Sequence, residues 1–157
     1  MLIMRNIYYS FLKIRNLIFL LFLRIKYPCL MLVDFDFTLV NNHFNNKYLK
    51  YIEKRLEFDN DVLNIIRDNP NFKPVIFTAR TTISGKYIKR NSDWKSHFNC
   101  ILYTGNTQLK YNIAYFAAMI YSSVIWIDDL ADIDLATGHK IIRKDPRVMD
   151  NLKFIRW

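Results

Sequence analysis

Apolar and polar positions fall in blocks along this chain, and the blocks read as strand, helix, strand. Leu30, Met31, Leu32 and Val33 form an unbroken apolar run that leads into Asp34-Phe35-Asp36-Phe37-Thr38-Leu39. A short run of this kind, bounded by polar residues, predicts a strand buried on both faces. Asn41 to Asn46 is polar and predicts a flap, and Tyr48 to Leu56 has helical character. Val62, Leu63, Ile65 and Ile66 predict a helix over 61–67, capped by Asp59 or Asn60 and stopped by Asn69-Pro70-Asn71. Pro74 to Phe77 predicts a second strand, with Thr78-Ala79-Arg80 at its carboxyl end. Ser92 or Asp93 starts a short helix through Trp94, and Cys100 to Tyr103 predicts a third strand. A helix follows from about Thr107 to Tyr121, with Lys110 in its first turn and Phe116, Met119 and Ile120 as a core stripe. Val124 to Ile127 predicts a fourth strand ending in Asp128-Asp129, and Lys140 to Ile142 a short fifth.

Strand and helix in alternation predict an α/β domain, a mostly parallel five-stranded sheet covered by helices on both faces. The chain has 157 residues, room for one domain with a single good core. The sequence shows no internal repeat and no linker. We therefore read 29–157 as one domain and 1–28 as a basic, hydrophobic N-terminal extension.

The extension is the unusual part. Its longest uncharged stretch near the apolar centre runs only from Asn16 to Leu23, well short of the ~20 residues that span a bilayer. From Ile7 to Ile25 the Leu, Ile and Phe residues favour insertion by about 0.5 kcal/mol each, but Lys13, Arg15 and Arg24 oppose it by about 3 kcal/mol each. Spanning is thus unfavourable by a few kcal/mol, and no small-residue cleavage site follows to mark a signal peptide. Two readings remain open. One is a basic helix lying on a membrane surface or on another protein. The other is an upstream segment without function, since Met31 could itself open the chain.

Composition narrows the picture. Hydrophobic residues make up 52 % and there are only three Gly and four Pro, which excludes a linker-rich, collagen-like or disordered chain. The net charge is +9, but Arg5, Lys13, Arg15, Arg24 and Lys26 precede the first acidic residue, Asp34. The 18 basic and 14 acidic residues that follow leave +4, which suits phosphate substrates without arguing for nucleic acid. Cys29 and Cys100 each open an apolar run and read as core thiols in a reducing, cytoplasmic compartment. His43, His97 and His139 have no metal-ligand spacing.

The candidate chemistry sits at strand ends, where open α/β sheets place their ligands. Asp34 and Asp36, Thr78, Lys110, and Asp128 with Asp129 all fall at a strand's carboxyl end or a helix start. Two carboxylates ~4 Å apart at an effective dielectric of ~20 repel by about 4 kcal/mol. A hard divalent cation such as Mg²⁺, bound through oxygen, relieves that repulsion. Such a site suits phosphate. One carboxylate can attack phosphorus, a neighbour can protonate the leaving oxygen and activate water, and metal, Lys and Thr can stabilise the charge that develops.

These four segments, from Leu30 to about Ile142, resemble the motifs of the haloacid dehalogenase superfamily of phosphohydrolases. Asp34-Phe35-Asp36-Phe37-Thr38-Leu39 matches the first motif, with Phe37 where Gly is common. Phe77-Thr78-Ala79-Arg80 matches the second, Lys110 the third, and Ile127-Asp128-Asp129 the acidic fourth, with Asp132 and Asp134 beyond. The resemblance implies a three-layer α/β/α, Rossmann-like domain and a Mg²⁺-dependent phosphomonoesterase. It implies Asp34 as nucleophile and metal ligand, and Asp36 as general acid/base with its backbone on the metal. It further implies Thr78, with Ala79 and Arg80, as the phosphate-binding segment and Lys110 as the neutralising cation. Asp128 and Asp129 would complete the metal site, Asp129 as the direct ligand. The second Asp of the first motif points to phosphatases over dehalogenases.

Neither intermotif gap holds a separate cap domain. Members without a large cap resemble enzymes that accept bulky substrates, or that use a neighbouring subunit as lid in a homo-oligomer. The basic stretch from Arg80 to Trp94, with Lys86, Lys89 and Arg90, resembles the layout of polynucleotide 3′-phosphatases. The substrate is thus open between a nucleotide or other small phosphate and a phosphorylated nucleic-acid end. Two competing readings are a phospho-acceptor signalling domain, disfavoured by motif order, and a non-catalytic domain docked by residues 1–28 to a membrane or partner.

Overall fold

The computed structural model describes residues 2–40, 57–90, 93–133 and 140–157. The expected flap over 41–46, the helical stretch over 48–56, Ser92 and Asp134 lie outside the described residues. The elements run α1 (Leu2–Lys26), β1 (Cys29–Val33), α2 (Asn60–Asp68), β2 (Lys73–Thr78) and α3 (Lys86–Arg90). After a 3₁₀ turn at Asp93–Ser96 come β3 (Ile101–Tyr103), α4 (Thr107–Ile120), β4 (Ser123–Asp128), β5 (Ala131–Ile133), β6 (Lys140–Ile142) and β7 (Leu152–Arg156).

Five strands form one sheet in the order β3-β2-β1-β4-β7, every pair parallel. The Rossmann-like α/β architecture expected from the strand-helix alternation is present, with β1 at its centre. The fifth strand of this sheet, however, is β7 and not Lys140–Ile142. The latter pairs antiparallel with β5 in a separate two-stranded ribbon, where Ile142 is 69 % exposed. β7 buries Leu152 and exposes Lys153 and Arg156.

Alternation along β1 assigns the two faces. Leu30 and Leu32 point into a cluster with Leu102, Leu109, Ile113, Ala117 and Trp126. Met31 and Val33 point into a second cluster with Val62, Ile76, Ile88, Trp94 and Phe98. α2 is capped by Asp59, whose carboxylate accepts from the backbone N–H of Asp61 and Val62, as its sequence required. α4 buries Leu109, Ile113, Ala114, Ala117 and Ala118; of the expected stripe, Phe116 and Ile120 pack against the first cluster and Met119 is exposed. α1 packs against α4.

α1 does not trail from the domain. Leu12 and Leu20 are fully buried in the first cluster. Asn16, also fully buried, donates its Nδ2 to the backbone oxygen of Tyr103 at 2.8 Å and so covers the outer edge of β3. The Tyr121 hydroxyl donates to the Leu20 oxygen at 2.8 Å, and Arg24 Nε to the Ile120 oxygen at 2.7 Å. Gly105, at φ +79°, allows the approach: a Cβ there would lie 2.8 Å from the Tyr9 ring and 3.1 Å from Leu12. By length and composition Asn6–Lys26 is also long and apolar enough to cross a membrane.

Candidate functional site

β1, β2 and β4 end side by side, and their carboxyl ends carry the acidic residues and the Thr. Register places Val33 beside Ile76 and Ile127, so the residues after each strand emerge at one edge. The Asp34 N–H donates to the Ile127 oxygen at 2.9 Å, extending the β1–β4 pairing by one residue into the site. The chain then turns back, with the Leu39 N–H donating to the Asp34 oxygen at 3.2 Å. Phe37, where glycine would sit most easily, takes φ +61° within this turn, and Leu130 takes φ +50° just after Asp129. Each such residue costs about 1–3 kcal/mol and persists only where its surroundings fix it. Here Thr38 Oγ1 accepts from the Asp129 N–H at 3.1 Å, and Asp128 Oδ1 accepts from the Leu130 N–H at 2.7 Å. The two acidic loops therefore brace each other.

Asp34, Asp128 and Asp129 are buried, and each offers a carboxylate oxygen within 4.8 Å of the others'. Lys110, from the first turn of α4, reaches into this group with 3 % of its surface exposed. Its Nζ donates to Asp34 Oδ1 and lies 2.6 Å from Asp128 Oδ2. Asn106 positions it by capping α4, its Oδ1 accepting from the Leu109 N–H at 2.7 Å. Burial works against the Lys110 charge, but the Asp128 and Asp34 carboxylates outweigh it and hold its pKa above the ordinary lysine value. Burial raises the Asp34 carboxyl well above the usual range. Lys110 opposes that rise, while Asp128 and Asp36 reinforce it.

Asp36 is held differently. Arg80 grips it in a two-pronged contact, Nε to Oδ2 at 2.8 Å and Nη2 to Oδ1 at 2.6 Å. Arg80 is itself 8 % exposed. Thr78 is fully buried, its Oγ1 accepting from the Arg80 N–H at 3.2 Å, with Ala79 half-buried between them. The Thr78 oxygen accepts from the N–H and the hydroxyl of Thr104, at 2.9 and 3.1 Å, which ties the loop after β2 to the loop after β3.

All eight residues singled out from the sequence thus lie along this edge. The basic residues Lys86, Lys89 and Arg90 lie in and after the first turn of α3, in the segment that follows Arg80.

Sequence reasoning missed two residues. Trp126 is fully buried among Phe77, Tyr111 and Phe154, and its Nε1 donates to Asp128 Oδ2 at 2.8 Å. The signal was present: positions two apart on a strand share a face. Arg156, at the end of β7, donates Nη1 to the Asp129 backbone oxygen at 3.1 Å, a contact that no local pattern announces.

Asp34, Asp128 and Asp129 bring three buried carboxyl groups together at the sheet edge. Buried and all-oxygen, this donor set fits a hard divalent cation. Compared with family models, curated proteins and solved structures, the chain matches none.

Proposed function

We propose that this protein is a divalent-cation-dependent phosphomonoesterase of the haloacid dehalogenase type, with the three-layer fold of that superfamily and no large cap. The observation that carries the reading is the position of Lys110 Nζ between Asp34 and Asp128, delivered by α4 to the ends of β1 and β4. An ammonium buried between two carboxylates fits a site built to hold a nucleophile beside a dianionic substrate.

Asp34, Asp129 and the backbone of Asp36 would hold Mg²⁺, with Asp128 beside them. Both Asp128 oxygens are engaged, Oδ1 by the Leu130 N–H and Oδ2 by Trp126 and Lys110, which favours Asp129 as the direct ligand. When bound, the cation supplies positive charge to the phosphoryl oxygens. The Asp34 carboxylate attacks phosphorus as the bond to the ester oxygen breaks. The electron pair leaves with that oxygen, which takes a proton from Asp36, and an aspartyl-phosphate remains on Asp34. Water then attacks phosphorus, its proton passes to Asp36, and inorganic phosphate and free Asp34 are restored. Lys110 and the Thr78 hydroxyl neutralise and orient the transferring group.

The Arg80 fork occupies both Asp36 oxygens, so Asp36 must leave it to carry a proton. An entering phosphate competes for the same guanidinium and frees Asp36 for that role. The substrate would be either a small phosphate, with a neighbouring subunit as lid, or a phosphorylated nucleic-acid end reaching Lys86, Lys89 and Arg90.

The test is phosphate release with Mg²⁺ and with EDTA, from nucleoside monophosphates, sugar phosphates and oligonucleotides phosphorylated at either end. Mg²⁺-dependent release that Asp34→Asn abolishes supports the reading. Full activity in Asp34→Asn, or no release from any of these substrates, overturns it.

A further inference from the structure

α1 has two apolar faces, and the domain covers only one. Leu12, Asn16 and Leu20 face inward. On the opposite side, Ile7, Phe11, Ile14, Ile18, Phe22 and Ile25 form a continuous stripe, each 49 to 83 % exposed. The stripe runs roughly 30 Å along the helix. A single exposed Leu or Phe needs no explanation, but a contiguous apolar band of this length marks an interaction surface.

Charge identifies what the band meets. At 3.6 residues per turn, Arg15 and Lys26 border the stripe on one side, while Lys13 and Arg24 lie farther round, roughly 120–140° from its centre. Lys13 and Lys26 are exposed, and Arg15 and Arg24 half-buried. No acidic residue occurs before Asp34. We infer that the outer face of α1 docks on a bilayer containing anionic phospholipid. The stripe enters the acyl boundary and the basic residues beside it, Arg15 and Lys26, meet lipid phosphates.

The alternatives fit less well. A second copy of the chain would bring an identical basic, acid-free face against this one and set like charges together. Crossing the bilayer would strip Asn16 from Tyr103, Leu20 from the Tyr121 hydroxyl and Arg24 from Ile120, and would carry Lys13 and Arg15 into hydrocarbon. Lying flat keeps all of these contacts. The inference is independent of the chemistry at the sheet edge.

The test is flotation of the full chain with vesicles of phosphatidylcholine alone or mixed with phosphatidylserine, at low and high salt. Each basic residue near an anionic surface adds roughly fivefold to binding, so Arg15 and Lys26 together add about 25-fold on phosphatidylserine vesicles. That preference shrinks in high salt. The double variant Phe11→Glu/Phe22→Glu alters only exposed side chains. It should keep the melting temperature and lose vesicle binding. Three results overturn the inference: no binding of the folded chain to phosphatidylserine vesicles; equal binding by the double variant; or a lipid-free dimer that the double variant disrupts while vesicles bind neither form. Bound protein that alkaline carbonate fails to release would show spanning and overturn it too.

Discussion

Lys110 on α4 donates a hydrogen bond to Asp34 at the end of β1, 76 residues earlier in the chain, and both are buried. The same ammonium meets Asp128, so one cation offsets two carboxylates that belong to different strands. Removing one partner of a buried ion pair leaves an uncompensated charge, which costs about 3–5 kcal/mol. Lys110→Met should therefore destabilise the fold by that order at neutral pH, as well as abolish turnover. The sign with pH follows. Without Lys110 the Asp34 carboxyl rises further, and its neutral form, present at lower pH, relieves the repulsion. Denaturant unfolding at neutral and mildly acid pH should show the variant recovering stability on acidification. Equal loss at both values would mean that Lys110 matters for packing and not for charge.

Wild-type Asp34 makes a related prediction about metal. Burial holds its folded pKa above the unfolded value, so its contribution to stability is present below the unfolded value and is lost as pH rises through the folded one. A divalent cation binds the ionised form and competes with the proton. Mg²⁺ should thus raise the melting temperature at neutral pH, and the increment should vanish as pH falls through the raised Asp34 value. In Asp34→Asn the increment should be small at every pH. A pH-independent increment that survives in Asp34→Asn would place the cation elsewhere.

The residues of this site were legible because each is a local signature. An apolar run ending in Asp, and a Lys in the first turn of a helix that follows a strand, can be read without knowing the fold. What brings them together is tertiary, and it was read only as far as the parallel sheet. The last strand was not read. Lys140–Ile142 is a short apolar run, but Leu152 sits in register with Val124 and β7 takes the edge beside β4. On α4 the reading of Phe116, Met119 and Ile120 as core holds for Phe116 and Ile120, which pack against the first cluster, and fails for Met119, which is exposed. The Arg80–Asp36 fork joins residues 44 apart in sequence, and no spacing rule reports it.

That fork yields a kinetic prediction. Asp36→Asn removes the proposed acid/base and should lower kcat by about 10²–10⁴-fold. Arg80→Gln removes a charged two-pronged contact, worth about 1.5–3 kcal/mol, and should both lower stability and raise KM for the phosphorylated substrate. If Arg80 only positions Asp36, the double variant should turn over no more slowly than Asp36→Asn and with an unchanged KM. A further rise in KM in the double variant would show that Arg80 contacts phosphate as well.

The N-terminal helix leads to the last prediction, because its inner face is part of the core and its outer face is not. Leu12 and Leu20 are fully buried in the first cluster, where α1 packs against α4 and β3, and Leu→Ala at such positions costs about 2–5 kcal/mol. Leu12→Ala and Leu20→Ala should each lower the melting temperature, whereas Ile14→Ala, at an exposed position, should leave it within error. Removing residues 1–28 would uncover the outer edge of β3, along with the α4 face lined by Ala114, Ala117 and Ala118. An uncovered strand edge beside apolar surface is a template for aggregation. The truncated chain is therefore expected to be less soluble and less stable, even though every proposed catalytic residue lies beyond the cut. Soluble, fully active truncated protein, together with Leu12→Ala and Leu20→Ala melting like the parent, would show that α1 rests on the domain without stabilising it.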